Sequence, residues 1–197
     1  MQRSLCTLAA LLALAAVFAS TAAAASVSVR VEGKTMSIFG ASEPRVSADN
    51  AMGALDIASL LGEFYYHVTT TSFGPYVDQI GRYPAGGANG WVFKVNGASP
   101  PVGADKVTLK DGDRVLWYYA TFGPGGGPPT LLLTRTRRNC YRVVSEDDAG
   151  ADTPGAGAVL RVDGRRVRTA GGRGCVGNHK GLVRATLTGA VRSNALR

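Results

Sequence analysis

The hydrophobic rhythm of the chain changes several times. Val27, Val29 and Val31 alternate with polar residues, the period-two signature of a strand with one buried face. Lys34 to Phe39 reads as a second short strand. From Ala48 to Leu61 the period lengthens. Ala51, Leu55 and Ala58 recur at three- and four-residue spacing, which predicts an amphipathic helix capped by Ser47 and ended by Gly62. Residues 65–71 and 76–80 read as extended. Trp91, Phe93 and Val95 then alternate with Val92 and Lys94 and run into Asn96-Gly97, a turn dipeptide. Val107 to Leu109 reads as a short strand, followed by a turn at Asp111-Gly112. Val115, Trp117 and Tyr119 interleave with Leu116 and Tyr118. A strand apolar on both faces belongs at the centre of its sheet.

Beyond residue 130 no helical period survives. Short extended runs are separated by turn signals at Asp152-Thr153-Pro154-Gly155, Asp163-Gly164 and Gly171-Gly172. Such spacing predicts a small β-sandwich. Between the two patterns lies Gly123-Pro124-Gly125-Gly126-Gly127-Pro128-Pro129, which has no side chain able to join a core and reads as a linker. The expected fold class is therefore α+β, one helix on a mixed sheet, plus a small all-β sandwich.

The first residues follow a different logic. Arg3, an apolar run from Ser4 to Ala19 and a small-residue stretch ending at Ala25 have the three-part order of a secretory signal peptide. The expected organisation is a signal peptide at 1–25, a first domain at 26–122, a linker at 123–129 and a sandwich at 130–197. Whether the leader is cleaved or retained as an anchor stays open. No second apolar segment of spanning length follows, so no transmembrane helix is expected after cleavage, and the protein is expected to be secreted or on the cell surface.

Export changes the meaning of the cysteines. Cys6 leaves with the leader, and the remaining pair, Cys140 and Cys175, reads as a disulfide. Charge separates the two regions as well. Residues 26–122 carry 8 Lys+Arg against 9 Asp+Glu, whereas residues 123–197 carry 13 against 5, and 12 of those 13 cations are Arg. Solvated strand faces account for many of them. An anionic cell-envelope polymer or phospholipid is the partner such an excess would suit, ahead of nucleic acid, which is not expected. The run Arg135, Arg137, Arg138 has the chemistry to grip phosphate or sulfate, but alternation puts Arg135 and Arg137 on one strand face, and the expected reading is the exposed face of an edge strand. The acidic group Glu146, Asp147, Asp148 and Asp152 lacks the spacing of a calcium loop and reads as a solvated turn.

Gly90-Trp91-Val92-Phe93-Lys94-Val95-Asn96-Gly97, Pro101-Val102-Gly103-Ala104 and Leu109-Lys110-Asp111-Gly112-Asp113-Arg114-Val115-Leu116-Trp117-Tyr118-Tyr119 form a recognisable string, and residues 46–55 accompany it. It resembles the transcobalamin-C-terminal-like domain, a largely uncharacterised family. The resemblance implies a β-grasp-like fold for 26–122. In vertebrate cobalamin carriers this domain covers one side of the corrinoid and a separate helical barrel covers the other. This chain is too short for such a barrel, so no cofactor is expected, although the resemblance leaves cobalamin open. The C-terminal runs at 157–164, 167–169, 183–186 and 189–194 resemble immunoglobulin-like or carboxypeptidase-regulatory-like sandwiches of bacterial surface proteins, which implies a spacer or adhesive module.

No nucleophile elbow, metal-binding helix motif or serine–lysine pair is present, and neither His67 nor His179 has motif context. The protein is therefore expected not to be an enzyme; hydrolysis, centred on His67, is a distant third reading. The aromatic residues concentrate in the first domain. Tyr65, Tyr83, Trp91, Trp117 and Tyr119 are the candidate ligand residues, on a sheet face left partly free by the helix. The expected function is a non-enzymatic binding protein for a small molecule or glycan. The alternative is a structural or adhesive surface protein without such a ligand.

Overall fold

The computed structural model describes residues 24–197. The expected signal peptide thus lies outside the described residues, except for its last two positions. In chain order the elements are β1 (Ala25–Glu32), β2 (Ser37–Phe39), β3 (Arg45–Ala48), α1 (Ala51–Gly62), β4 (Tyr66–Thr71), β5 (Gly74–Ile80), β6 (Tyr83–Pro84), β7 (Asn89–Val95) and β8 (Arg114–Thr121). They continue as β9 (Thr130–Arg137), β10 (Cys140–Glu146), β11 (Asp152–Pro154), β12 (Val159–Val162), β13 (Arg165–Arg168), β14 (Arg173–Cys175), β15 (Val183–Thr186) and β16 (Ala195–Leu196).

These strands form four sheets, and α1 is the one α-helix among the described residues. That overturns the expected α+β, β-grasp-like class: the protein is mostly β. The reason is that a single twelve-residue helix is set against sixteen strands, and residues 66–84 build a separate three-stranded sheet, β4-β5-β6, instead of extending the main one.

The main N-terminal sheet runs β2-β1-β8-β7, with β3 also paired to β1. Strand β8 lies between β1, to which it is parallel, and β7, to which it is antiparallel. This central place follows from its two apolar faces. Alternation sends Val27, Val29, Val31, Trp91, Val115 and Trp117 into one core with Leu55 and Ala58 of α1. A fully buried Val or Leu side chain contributes about 1.5–3 kcal/mol. The opposite face presents Leu116, Tyr118 and Ala120, which pack with Val92 and with Val191 from the C-terminal region.

The helix begins later than the periodicity predicts. Ser47 lies within β3, where Val46 and Ala48 alternate inward, and Asn50 is the cap instead, its Oδ1 accepting the Gly53 N–H at 2.8 Å. Glu63, at φ 50°, forms the left-handed C-cap. Gly62 is needed for a different reason, because a Cβ there would stand 2.6 Å from the Phe39 ring. Residues 107–109 contribute only a bridge, Thr108 to Asn50, and no strand.

The C-terminal region holds two sheets facing each other. The first contains β11-β10-β14 with β9 on β10, and the second runs β13-β12-β15-β16. Leu131, Leu133, Tyr141 and Val143 from the first sheet share a core with Leu160, Val162, Val183 and Ala185 from the second. The expected turn at Asp152-Thr153-Pro154 is strand β11, paired with β10. Cys140 and Cys175 stand opposite each other in the β10–β14 pairing and form a disulfide.

The N-terminal and C-terminal regions meet through buried charge. Glu32, fully buried, lies 2.9 Å from Arg184 and 3.2 Å from Arg192, and accepts from Ser37. Arg184 also donates to the Ser37 hydroxyl. Lys94, also fully buried, donates to the Glu146 and Asp147 carbonyls at 3.0 and 2.7 Å and to the Thr130 hydroxyl. The acidic group expected as a solvated turn is thus largely built into this contact. Glu146 is buried and paired with Arg114 at 3.1 Å, and Asp148 lies 3.5 Å from Lys94. Asp152, by contrast, is exposed.

Candidate functional site: an apolar cavity beside the tryptophans

Cross-strand register brings the aromatic residues together. Phe93 lies directly opposite Trp117, and Trp91 opposite Tyr119. The Phe93 and Trp117 rings stack with centroids 5.1 Å apart. Tyr119 meets Trp91 edge-on at 5.4 Å and Tyr83 at 5.6 Å. Both indoles are anchored to backbone: Trp91 donates to the Tyr83 carbonyl at 2.8 Å and Trp117 to the Ala51 carbonyl at 3.1 Å. Their N–H groups are therefore used in the architecture and do not face a ligand.

Four of the five candidate residues thus converge, and one does not. Tyr83, Trp91, Trp117 and Tyr119 belong to one aromatic assembly. Tyr65 stands apart beyond the end of α1, 60% exposed. Trp91 and Trp117 are each only 2% exposed, so they form the wall of a recess and not an open platform. The Tyr83 hydroxyl, bonded to Thr35 at 2.9 Å, titrates below the usual tyrosine range; that hydrogen bond is the main cause, with help from Arg82.

The recess has a volume of about 240 Å³. Trp91, Phe93 and Trp117 form one wall, Tyr76 and Val77 of β5 another, and Met52 with Ala104 close the end near α1. Apart from Ser99 and the Tyr76 hydroxyl, the side chains lining it are apolar. Gly90 is required beside it, because a Cβ there would stand 2.6 Å from the Tyr76 hydroxyl. Phe93, Tyr76 and Met52 were not among the candidate residues. Phe93 was legible, since it shares the inward alternation of Trp91. The contribution of Tyr76 depends on how the separate β4-β5-β6 sheet packs, which no local pattern encodes.

A recess of this size is too small to enclose a corrinoid. The two histidines lie in different surroundings. His67 Nδ1 pairs with Asp78 at 2.7 Å on an exposed hairpin. His179 is held between the Tyr141 hydroxyl and the Gly181 carbonyl, each at 2.9 Å. No nucleophilic hydroxyl or thiol bonds to either ring beyond the Tyr141 phenol among the described residues. No helix of the described residues is long and apolar enough to cross a membrane.

No curated protein matches the chain in a sequence comparison. Residues 49–121, which contain α1, the cavity wall and the central strand, match a family described as a domain of unknown function, DUF4430.

Proposed function

We propose that the protein is an exported, non-enzymatic binding protein whose N-terminal region takes a small, flat, apolar molecule into the recess beside Trp91, Phe93 and Trp117. The cavity itself carries this reading: it is concave, aromatic-walled and nearly free of polar groups. An apolar cavity of about 150 Å³ accepts benzene, so this one suits a bicyclic aromatic. The disulfide fits an oxidising compartment. The likeness of residues 46–119 to transcobalamin-C-terminal-like domains supports a ligand role without naming the ligand.

The reading is tested by thermal-shift titration of the oxidised protein with indole and with 2-naphthol, beside Ala104→Leu, which fills the cavity. Binding to the native state alone adds about 2.7 kcal/mol at a hundredfold excess over Kd. The expected result is a raised transition in the wild type and none in the variant. Equal shifts in both, or no shift with either compound, would overturn it.

A second reading, an adhesive surface protein without a small-molecule ligand, is favoured by a different observation. Of the twelve C-terminal arginines only Arg165, Arg184 and Arg192 form ion pairs among the described residues. The likeness of the C-terminal runs to immunoglobulin-like surface modules supports the same reading.

A further inference from the structure

The outer face of the β13-β12-β15-β16 sheet carries an arrangement that costs stability. Leu160, Val167 and Ala185 share one row of the register and turn inward to the core. The next row therefore turns outward, and it reads Arg166, Arg161, Arg184 across three neighbouring strands. Arg168 follows on the same face, opposite Val159. Like charges directly opposite across strands destabilise a sheet. Arg184 is compensated by Glu32. Arg161 and Arg166 are exposed, and no carboxylate lies within ion-pair distance of either among the described residues.

A second cationic cluster lies at the end remote from the N-terminal region. Arg135, Arg137, Arg138, Asn139, His179 and Arg197 line a concavity of about 510 Å³ with no acidic side chain in its wall. The β12–β13 turn reaches the same end. Arg165 donates to the Asn178 carbonyl at 2.6 Å, and the Asn178 side chain accepts from Asn139 at 3.0 Å. Three of the five acids of the C-terminal region, Glu146, Asp147 and Asp148, meet the N-terminal region, whereas Asp163 lies on the β12–β13 turn itself, held by the Lys180 and Gly181 N–H groups and 3.9 Å from Arg165.

We propose that these two arginine clusters, the concavity at Arg135–Arg138 and the outward Arg161–Arg166 pair, dock an acidic polysaccharide. The proposal rests on the adhesive reading and is independent of the cavity. Arg161 and Arg166 rise from directly opposite backbone positions on strands about 4.8 Å apart, and the planar guanidinium fork matches carboxylate and sulfate in bidentate fashion. The chemistry argues against two other polyanions. Tyr141 is the sole aromatic residue after Phe122 apart from His179, and it is buried, so the face has no platform on which bases could stack. It likewise lacks the aromatic anchors of a membrane surface.

The test measures binding of the oxidised protein to heparin, to single-stranded poly-dT and to vesicles containing phosphatidylserine, over a series of salt concentrations. Heparin binding is expected to dominate and to weaken steadily with salt. Arg161→Thr with Arg166→Thr should lose at least about tenfold in heparin affinity while its melting transition holds or rises, because a like-charge pair has been removed. Arg137→Ser with Arg138→Ser should lose affinity too, and Arg45→Ser in the N-terminal region should not. Unchanged heparin affinity in the first double variant would overturn the proposal. So would equal or tighter binding to poly-dT or vesicles, which would reveal charge attraction without the polysaccharide.

Discussion

Lys94 and Tyr118 show how a residue chosen by the strand period acquires an electrostatic role. Both lie on the face of the N-terminal sheet turned away from α1, and Lys94 Nζ stands 5.9 Å from the centre of the Tyr118 ring. Burial works on each against its charged form. It lowers the Lys94 ammonium below the usual lysine range, partly offset by Asp148, and raises the Tyr118 phenol far above its ordinary 10.0. For Tyr118 the consequence has a definite sign. An unfolded chain releases the phenolic proton near pH 10.0, whereas the folded protein retains it well beyond. The stability this supplies is fully present below that pH and is lost as pH rises toward the folded value. Tyr118→Phe keeps the ring and removes the titration. Its melting temperature should therefore decline less steeply than that of the wild type between about pH 9.5 and 11.5. Parallel alkaline limbs in a pH series of melting curves would show that the phenol is not held in its neutral form.

At the scale of elements, what was legible depended on whether a local pattern had a competitor. Strands β1, β7 and β8 alternate without ambiguity, and the two-sided apolar character of β8 announced its central place. The stripe of Ala51, Leu55 and Ala58 announced α1. Its start was not legible, because Ser47 and Asn50 are both good caps, and the choice was made by the pairing of Arg45–Ala48 with β1. That pairing is a long-range fact. Residues 107–109 have strand composition but find only a bridge, and the paired role of residues 152–154 was hidden behind turn-forming residues. At the candidate site, the alternation that selects Trp91 and Trp117 also selects their burial, so the pattern identified the wall of the recess. Its rim was invisible because it comes from the separate β4-β5-β6 sheet. The disulfide was read from cysteine number and export, and it joins β10 to β14 across a sequence separation of 35 residues. Closing such a loop stabilises by about 4 kcal/mol in the chain-entropy model. Cys140→Ser with Cys175→Ser should lower urea stability by that order, and dithiothreitol should bring the wild type to the same midpoint. A midpoint unmoved by either would place the stability of the C-terminal region in its apolar core alone.

For the whole molecule the main question is whether Gly123–Pro129 acts as a hinge. Its composition says so, yet the segments on either side are tied by groups that cannot be left alone. Glu32 is fully buried and faces Arg30, Arg184 and Arg192. The last two come from the C-terminal region, and Arg192 reaches further to the Gly33 and Lys34 carbonyls. The linker itself is engaged, since the Val191 N–H donates to the Pro129 carbonyl. Burying such a network is costly, and its net contribution relative to apolar packing is small. Removing Glu32 is a different matter: Arg30 keeps Glu43 at 3.3 Å, but Arg184 and Arg192 lose the one carboxylate they pair with among the described residues, and breaking a buried pair typically costs about 3–5 kcal/mol. Glu32→Gln retains shape and hydrogen-bonding capacity while removing the one carboxylate shared by three guanidinium groups. Its expected effect is therefore separation of the two regions before global unfolding. The wild type should melt in a single calorimetric transition. The variant should show two, with hydrogen exchange accelerated first along β1 and β15, the strands that carry Glu32 and Arg184. A single transition in Glu32→Gln at the wild-type temperature would mean that Leu116, Tyr118 and Val191 hold the two regions together, and that the ionic cluster only sets their alignment.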